Sequence, residues 1–270
     1  MTAVVAATQF DRTTALTPLG DQRWAAHLDA SWASLRGIHG GYVAAILVGA
    51  FERSHPERPV RTVHVSFLRG AVTGPAEVDT SVVRHGRSLT VGRVRLRQAG
   101  RLIAEATITG GTPRAAHAWA SPPLEPPAER SACVPLAPPP GIGHFDQADA
   151  VIDPADVPFT SGPRARIAGH VRPIEPRPID PRWLTMLGDW FPPAAFPRFA
   201  APIGGVSVDY LVHVHGLPDL TPGAALDEDA AWLTAAFEVR DATDGLALEE
   251  GWIADASGRV LARTFHTRLL

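Results

Sequence analysis

Residues 37–54, GIHGGYVAAILVGAFERS, decide how the rest of the chain is read. A histidine and two glycines stand directly before an apolar run, and Pro56 follows shortly after it. The spacing predicts a helix from about Gly41 to Ser54 that is apolar on nearly every face. Such a helix must be buried. Glycines at its start leave the backbone N–H groups bare, where the helix carries partial positive charge.

Working outward, the segments RTVHVSFLRGA, AEVDTSVVRHGRSLTVGRVRLRQAG and RLIAEATITGG alternate β-branched and polar residues between Gly-Pro, His-Gly and Ala-Gly turns. They read as an antiparallel meander following the helix. The second half has the same plan. Asp180 is an N-cap, Pro181 suits the first helical position, RWLTMLGDWF has apolar residues at helical spacing, and Pro192-Pro193 stops it. Strand-like runs follow: GGVSVDYLVHVHG, AWLTAAFEVRDATDG, LALEEGWIADASG and RVLARTFHTRLL. SVDYLVHVHG aligns with TVHVSFLRGA and DASGRVLARTFHT with RQAGRLIAEATIT, once LPDLTPGAALDEDAA is set aside as an insertion. Repeats that keep element order suggest two copies of one small α+β unit.

The expected organisation is therefore a unit over residues 1–115, a proline-rich linker over 116–165 and a second unit over 166–270. From AWASPPLEPPAERSACVPLAPPPGIG to GPRARIAGHVRPIEPRPIDP, proline recurs so often that neither a helix nor a central strand is expected. A curved antiparallel sheet wrapped around one long apolar helix satisfies each half. That is the hotdog unit, and two in tandem, a double hotdog, can associate through their sheets as a pseudo-dimer.

Composition narrows the function. The chain is 45% hydrophobic and carries a net charge of −3 with both signs interspersed, which gives no polyanion-binding stripe. A small-molecule ligand is expected, with no nucleic acid and no membrane partner. The longest apolar run is well short of a membrane span, and the first residues, MTAVVAATQFDRTTAL, do not read as a secretory signal, so a cytoplasmic location is expected. Cys133 is the single cysteine and has no partner for a disulfide or a zinc knuckle. All basic residues are arginine and asparagine is absent, a bias without functional content. There is no G-x-S-x-G elbow, P-loop or dinucleotide pattern. HVHG at 213–216 offers two histidines without a third ligand, so no metal is expected.

In order and spacing, HGGYVAAIL, VHVSFLRG, VVRHGRSLTVGRVRLRQAGRLIAEA, SVDYLVHVHG and GRVLARTFH resemble the double-hotdog acyl-CoA thioesterases of the acyl-CoA thioesterase II type. The resemblance implies hydrolysis of an acyl-CoA or acyl-carrier thioester by an activated water, without cofactor or metal, in a homo-oligomer (a dimer of double hotdogs). It further implies that an aspartate, a serine or threonine, and a glutamine of the second half hold the water. The aspartate matches Asp209, followed here by Tyr210, and the glutamine falls on or next to His266. The hydroxyl position falls near Glu238 and Val239, with Thr234 and Thr243 the nearest hydroxyls.

The residues themselves allow more than one role. In a regular strand Ser207, Asp209, Leu211 and His213 share one face. A mid-strand carboxylate there is either used in chemistry or paired with an arginine. His266 shares a face with Thr264 and Arg268, as a general base or an edge residue. Glu238 is a base or a solvated strand residue. His64 occupies the repeat position of Asp209, facing substrate or hydrogen-bonded in the core. Gly40 and Gly41, with His39 beside them, either present N–H groups to the thioester carbonyl or make the turn into the helix. Arg84 and Arg87 flank a β-turn that either meets the CoA phosphates or is solvated. Two other functions fit the scaffold: an enoyl-thioester hydratase or dehydratase, which needs an aspartate–histidine pair near the helix start, and a non-hydrolytic protein that binds an acyl or polyketide-like ligand.

Overall fold

The computed structural model describes residues 7–112, 125–137, 140–215 and 231–270. A short helix α1 (Gln9–Thr13), a hairpin of β1 (Thr17–Gly20) and β2 (Arg23–Leu28), and a small pair, β3 (Ala33–Ser34) and β4 (Gly37–Ile38), lead to the long helix α2 (Gly40–Ser54). The meander follows as β5 (Val60–Phe67), β6 (Gly74–His85), β7 (Leu89–Gln98) and β8 (Arg101–Gly111). After the middle segment, with β9 (Val134–Pro135) and β10 (Ala148–Ile152), come β11 (Arg166–Pro173) and helix α3 (Pro181–Leu187). The chain closes with β12 (Val206–Val214), β13 (Leu233–Thr243), β14 (Leu246–Ala254) and β15 (Val260–Leu269).

The expected helix, meander and second-half strands are all present. Residues 41–51 of α2 are buried, as a helix without a polar face requires. Asp180 caps α3, its carboxylate accepting from the Trp183 N–H at 2.7 Å. The middle segment departs from expectation. ADAVI contains no proline and forms β10, while RIAGHVRP carries its proline only at the end and forms β11, hydrogen-bonded on both sides. Residues 148–152 thus pair with β11 in the sheet instead of forming a bare linker. The insertion 217–231 lies almost wholly outside the described residues, as does Gly216 of HVHG.

One antiparallel sheet of 13 strands results, in the order β1-β2-β6-β7-β8-β5-β12-β15-β14-β13-β11-β10-β9. The two halves meet where β5 pairs with β12, Ser66 opposite Asp209 and His64 opposite Leu211. Helices α2 and α3 lie side by side against one face. On that inner face Val63, Val65, Tyr210 and Val212 are fully buried, whereas His64 and Phe265 on the outer face are exposed. Among the described residues no helix is long and apolar enough to cross a membrane.

A register shift in the β12–β15 pairing, between Ser207 and Asp209, corrects the facing expected for β12. Val208 is the extra residue of a bulge, so Ser207 opposes Arg268 and Asp209 opposes Thr267. A one-residue slip reverses the side chains beyond it. Ser207 therefore points inward, and Asp209 stays on the outer face with Leu211 and His213.

Candidate active site

Asp189, just beyond the end of α3, is where the two helices and the inner face converge. Gly41 at the start of α2 donates its N–H to Asp189 Oδ2 at 2.8 Å. Asp189 Oδ1 lies 3.3 Å from Ser207 Oγ, 3.3 Å from Arg268 Nη1 and 3.4 Å from His266 Nε2. Arg268 in turn gives Nε and Nη2 to Glu249 Oε1, at 3.0 and 2.9 Å. The other oxygen of Glu249 accepts from the Ala194 N–H at 2.7 Å. His266 is clamped from the side by the Tyr210 ring, stacked at 4.1 Å, whose hydroxyl donates to the Thr185 carbonyl.

All the charges are nearly out of water: Asp189 is 8% exposed, Glu249 3% and Arg268 4%. Burial alone would raise the Asp189 carboxyl, but the His266 and His39 rings, the Arg268 guanidinium and the Gly41 N–H outweigh it and hold it at about 2. Glu249 is likewise brought down to about 2 against its burial, chiefly by Arg268. The His266 ring is pushed below its ordinary value by burial first and Arg268 second. The centre is thus an ionised carboxylate, a hydroxyl and an imidazole, backed by a buried ion pair.

His39, the N-cap of α2, accepts the Tyr42 N–H on Nδ1 at 3.2 Å, so the neutral ring carries its proton on Nε2 and donates it to the Asp189 carbonyl at 2.9 Å. Burial, above all, keeps His39 below its ordinary value. His144 from the middle segment stacks on it at 4.3 Å and is itself lowered to about 3 by burial and by His39. The Trp190 indole donates to the His144 carbonyl at 2.8 Å.

The expected role of the two glycines is corrected here. The Gly41 and Tyr42 amides are already taken by Asp189 and His39, so neither is bare. A Cβ on Gly41 would stand 2.5 Å from the Met186 carbonyl oxygen and 3.0 Å from Asp189 Cβ; one on Gly40 would stand 2.8 Å from Asp189 Oδ2. The glycines let the end of α3 approach the start of α2.

The remaining expected residues lie elsewhere. Asp209 is half-buried on the outer face and accepts from the Thr267 hydroxyl at 3.2 Å. Glu238 is on the same outer face, opposite Glu250, and pairs with Arg240 at 3.2 Å. His64 is exposed on that face too. Thr234 bonds the His170 ring and Thr243 is exposed at a hairpin. Arg84 and Arg87 are exposed beside the β6–β7 turn, which Arg58 pins through the Gly86 and Arg87 carbonyls. That turn adjoins Gly111 and so the Val60 end of β5, whereas the cluster lies at its Phe67 end. Of the expected site residues only His39, Gly40, Gly41 and His266 reach the cluster. Asp189 was hidden in RWLTMLGDWF, where it reads as one polar position of an apolar helix. The one signal was a lone carboxylate directly before Trp190 and Phe191.

Solved structures with this architecture define the class as a hotdog fold. A hot dog fold protein from Alicyclobacillus acidocaldarius superimposes with a TM-score of 0.83 at 22% identity, covering 97% of both chains. A Thermobifida fusca YX protein, described as a candidate thioesterase II, gives 0.82 at 22% identity over 98% of both chains. The acyl-CoA thioesterase II TesB2 of Mycobacterium marinum gives 0.72 at 22% identity over 97% of this chain and 96% of its own. Residues 28–111 match the acyl-CoA thioesterase N-terminal domain and residues 120–270 its C-terminal domain. The chain belongs to the acyl-CoA thioesterase family. No curated protein matches it significantly in sequence.

Proposed function

We propose that the chain is two hotdog units in tandem and hydrolyses acyl-CoA thioesters with a water held by Asp189, Ser207 and His266. The observation that carries this is the convergence of Ser207 and His266 on one carboxylate oxygen of Asp189. The three supply the same kinds of group that the family resemblance implies, an aspartate, a hydroxyl and a third polar side chain from the second half. Of the positions the resemblance pointed to, only His266 is among them; Asp189 and Ser207 stand in place of Asp209 and the 238–239 position. Asp189, ionised throughout the physiological range, accepts the water's proton as the water oxygen bonds to the thioester carbonyl carbon. Collapse of the tetrahedral intermediate breaks the C–S bond, and the proton passes to the leaving thiolate.

A hydratase has one observation in its favour, since His39 Nε2 comes within 3.6 Å of Asp189 Oδ2 at the helix start. Both His39 nitrogens are already engaged, however, which favours hydrolysis. Free-thiol release from a panel of acyl-CoAs, run beside the loss of enoyl-CoA absorbance, separates the two reactions. Asp189→Asn should lower kcat by about 10²-fold or more, while Asp209→Asn stays within about twofold. Undiminished turnover in a folded Asp189→Asn protein would sink the assignment.

A further inference from the structure

We propose that Arg268 is a positioning residue that fixes His266 as the neutral tautomer with its proton on Nε2, so that His266 acts as a hydrogen-bond donor at the reacting centre and not as its base. The argument rests on the preceding assignment of the site and goes on to say which proton His266 carries. Arg268 Nη2 lies 3.1 Å from His266 Nδ1. A guanidinium has only donors, so Nδ1 must be the acceptor and cannot bear a hydrogen. The one proton of the neutral ring is then on Nε2. An imidazolium would set N–H against N–H at that contact.

Other candidates for the Nδ1 contact are already committed. Glu249 Oε1, 3.7 Å from Nδ1, is beyond hydrogen-bond length and is held by two Arg268 nitrogens. The charged and titratable groups around the ring are Asp189 after α3, Glu249 on β14, Arg268 on β15 and Tyr210 on β12, with His39 of α2 behind Asp189. Tyr210 is neutral, its hydroxyl pushed up by burial. Arg268 contacts both Asp189 and Glu249, at 3.3 and 2.9 Å, and its single positive charge is shared between them. Burial and Arg268 together hold the His266 ring below its ordinary value, which agrees with a neutral ring.

Nε2 supplies the second half of the argument. It is buried, has no hydrogen-bond partner among the described residues, and lies 3.4 Å from Asp189 Oδ1 without bonding to it. A buried N–H left without an acceptor is unfavourable, so this one is placed for an oxygen that arrives with the substrate, the attacking water or the thioester carbonyl. A side-chain amide offers the same N–H from a similar position, so His266→Gln is the conservative replacement.

The test is 15N-resolved NMR of the His266 ring in the full chain, with turnover measured in parallel. The expected wild-type spectrum has Nδ1 unprotonated and Nε2 protonated across the neutral pH range. A protonated Nδ1, or an imidazolium near pH 7, overturns the proposal whether or not the protein hydrolyses thioesters. Arg268→Met should release the ring into the other tautomer or a mixture and lower kcat at least about tenfold, as a wrong tautomer does in other sites. If the tautomer is unchanged in Arg268→Met, Arg268 does not position the ring and the proposal fails. His266→Gln should keep turnover within about tenfold and leave the limbs of the pH profile as they are in the wild type. A lost limb would mean that His266 titrates as a base, against the proposal. The wild-type spectrum decides the tautomer even if a variant does not fold.

Discussion

The antiparallel pair of α2 and α3 has two ends built from similar ingredients, and they behave in opposite ways. At one end the start of α2 meets Asp189; at the other the start of α3, with Asp180 and Arg182, meets Gly49 and Glu52 near the end of α2. Burial raises both carboxyls. Asp189 is nonetheless held at about 2, because the His266 and His39 rings, the Arg268 guanidinium and the Gly41 N–H together outweigh its burial. Glu52 is pushed up to about 7, by burial first and by Asp180 second, against the weaker pull of Arg182, Arg53 and Arg177. Its nearest cation, Arg182, is 3.8 Å away and shared with Asp180 and Asp11, each at 3.1 Å. Arg177 completes that end, lying over the rings of Phe10 and Trp183. A buried carboxylate stays ionised only where donors are committed to it. One end of the pair therefore holds an ionised carboxylate and the other a carboxyl close to neutrality.

The sharpest way to break the contrast is to remove the anion that completes the active end. Glu249→Ala leaves Arg268 buried with only Asp189 to balance it, and should cost about 3 to 5 kcal/mol of stability in urea unfolding. A loss below about 1 kcal/mol would mean that water reaches this pair as it does a surface one.

The glycines test the packing at each end. Gly41→Ala puts a methyl against the Met186 carbonyl and should cost about 1 to 3 kcal/mol, visible as a lower Tm with activity falling alongside. A Cβ on Gly49 would meet Arg53 Nη1 at 3.4 Å and Arg182 Cδ at 3.5 Å, ordinary contacts with flexible side chains. Gly49→Ala should therefore be neutral or stabilising by up to about 1 kcal/mol. Equal effects at the two positions would erase the asymmetry.

The smallest expected effect is a pH dependence. Glu52 rises from 4.5 to about 7 on folding, so the folded state holds that proton more tightly and stability falls as pH climbs through this window. Glu52→Gln should abolish a loss of about 1 to 2 kcal/mol between pH 5 and 8, reduced from the full linkage because the side chain is partly exposed. Asp189 has the opposite sign: its contribution is present above 3.8 and is lost as pH falls towards about 2. Thermal midpoints across both windows, with and without Glu52→Gln, distinguish the two ends.

What the sequence by itself determined was set by local periodicity. Apolar residues all round α2 dictated a buried helix, alternation dictated the meander, and Asp180-Pro181 opened the second helix, which ends at Leu187, well before the Pro192-Pro193 stop expected for it. His39 and His266 were legible because titratable rings stand out in apolar runs. Tertiary structure alone decided the rest. The bulge at Val208 put Ser207 and Asp209 on opposite faces, since a single inserted residue reverses a period-two pattern and leaves no mark in composition. Asp189 became the centre only because α3 ends against the glycines of α2, which brings Gly41 and Asp189 together although 148 positions separate them. The proline-rich middle proved to supply β10, β11 and the His144 ring that covers His39, because proline restricts only the positions it occupies and the residues beside them. Local propensity fixed the elements; their contacts across the chain fixed which carboxylate is ionised, which hydroxyl faces it and which ring stands beside them.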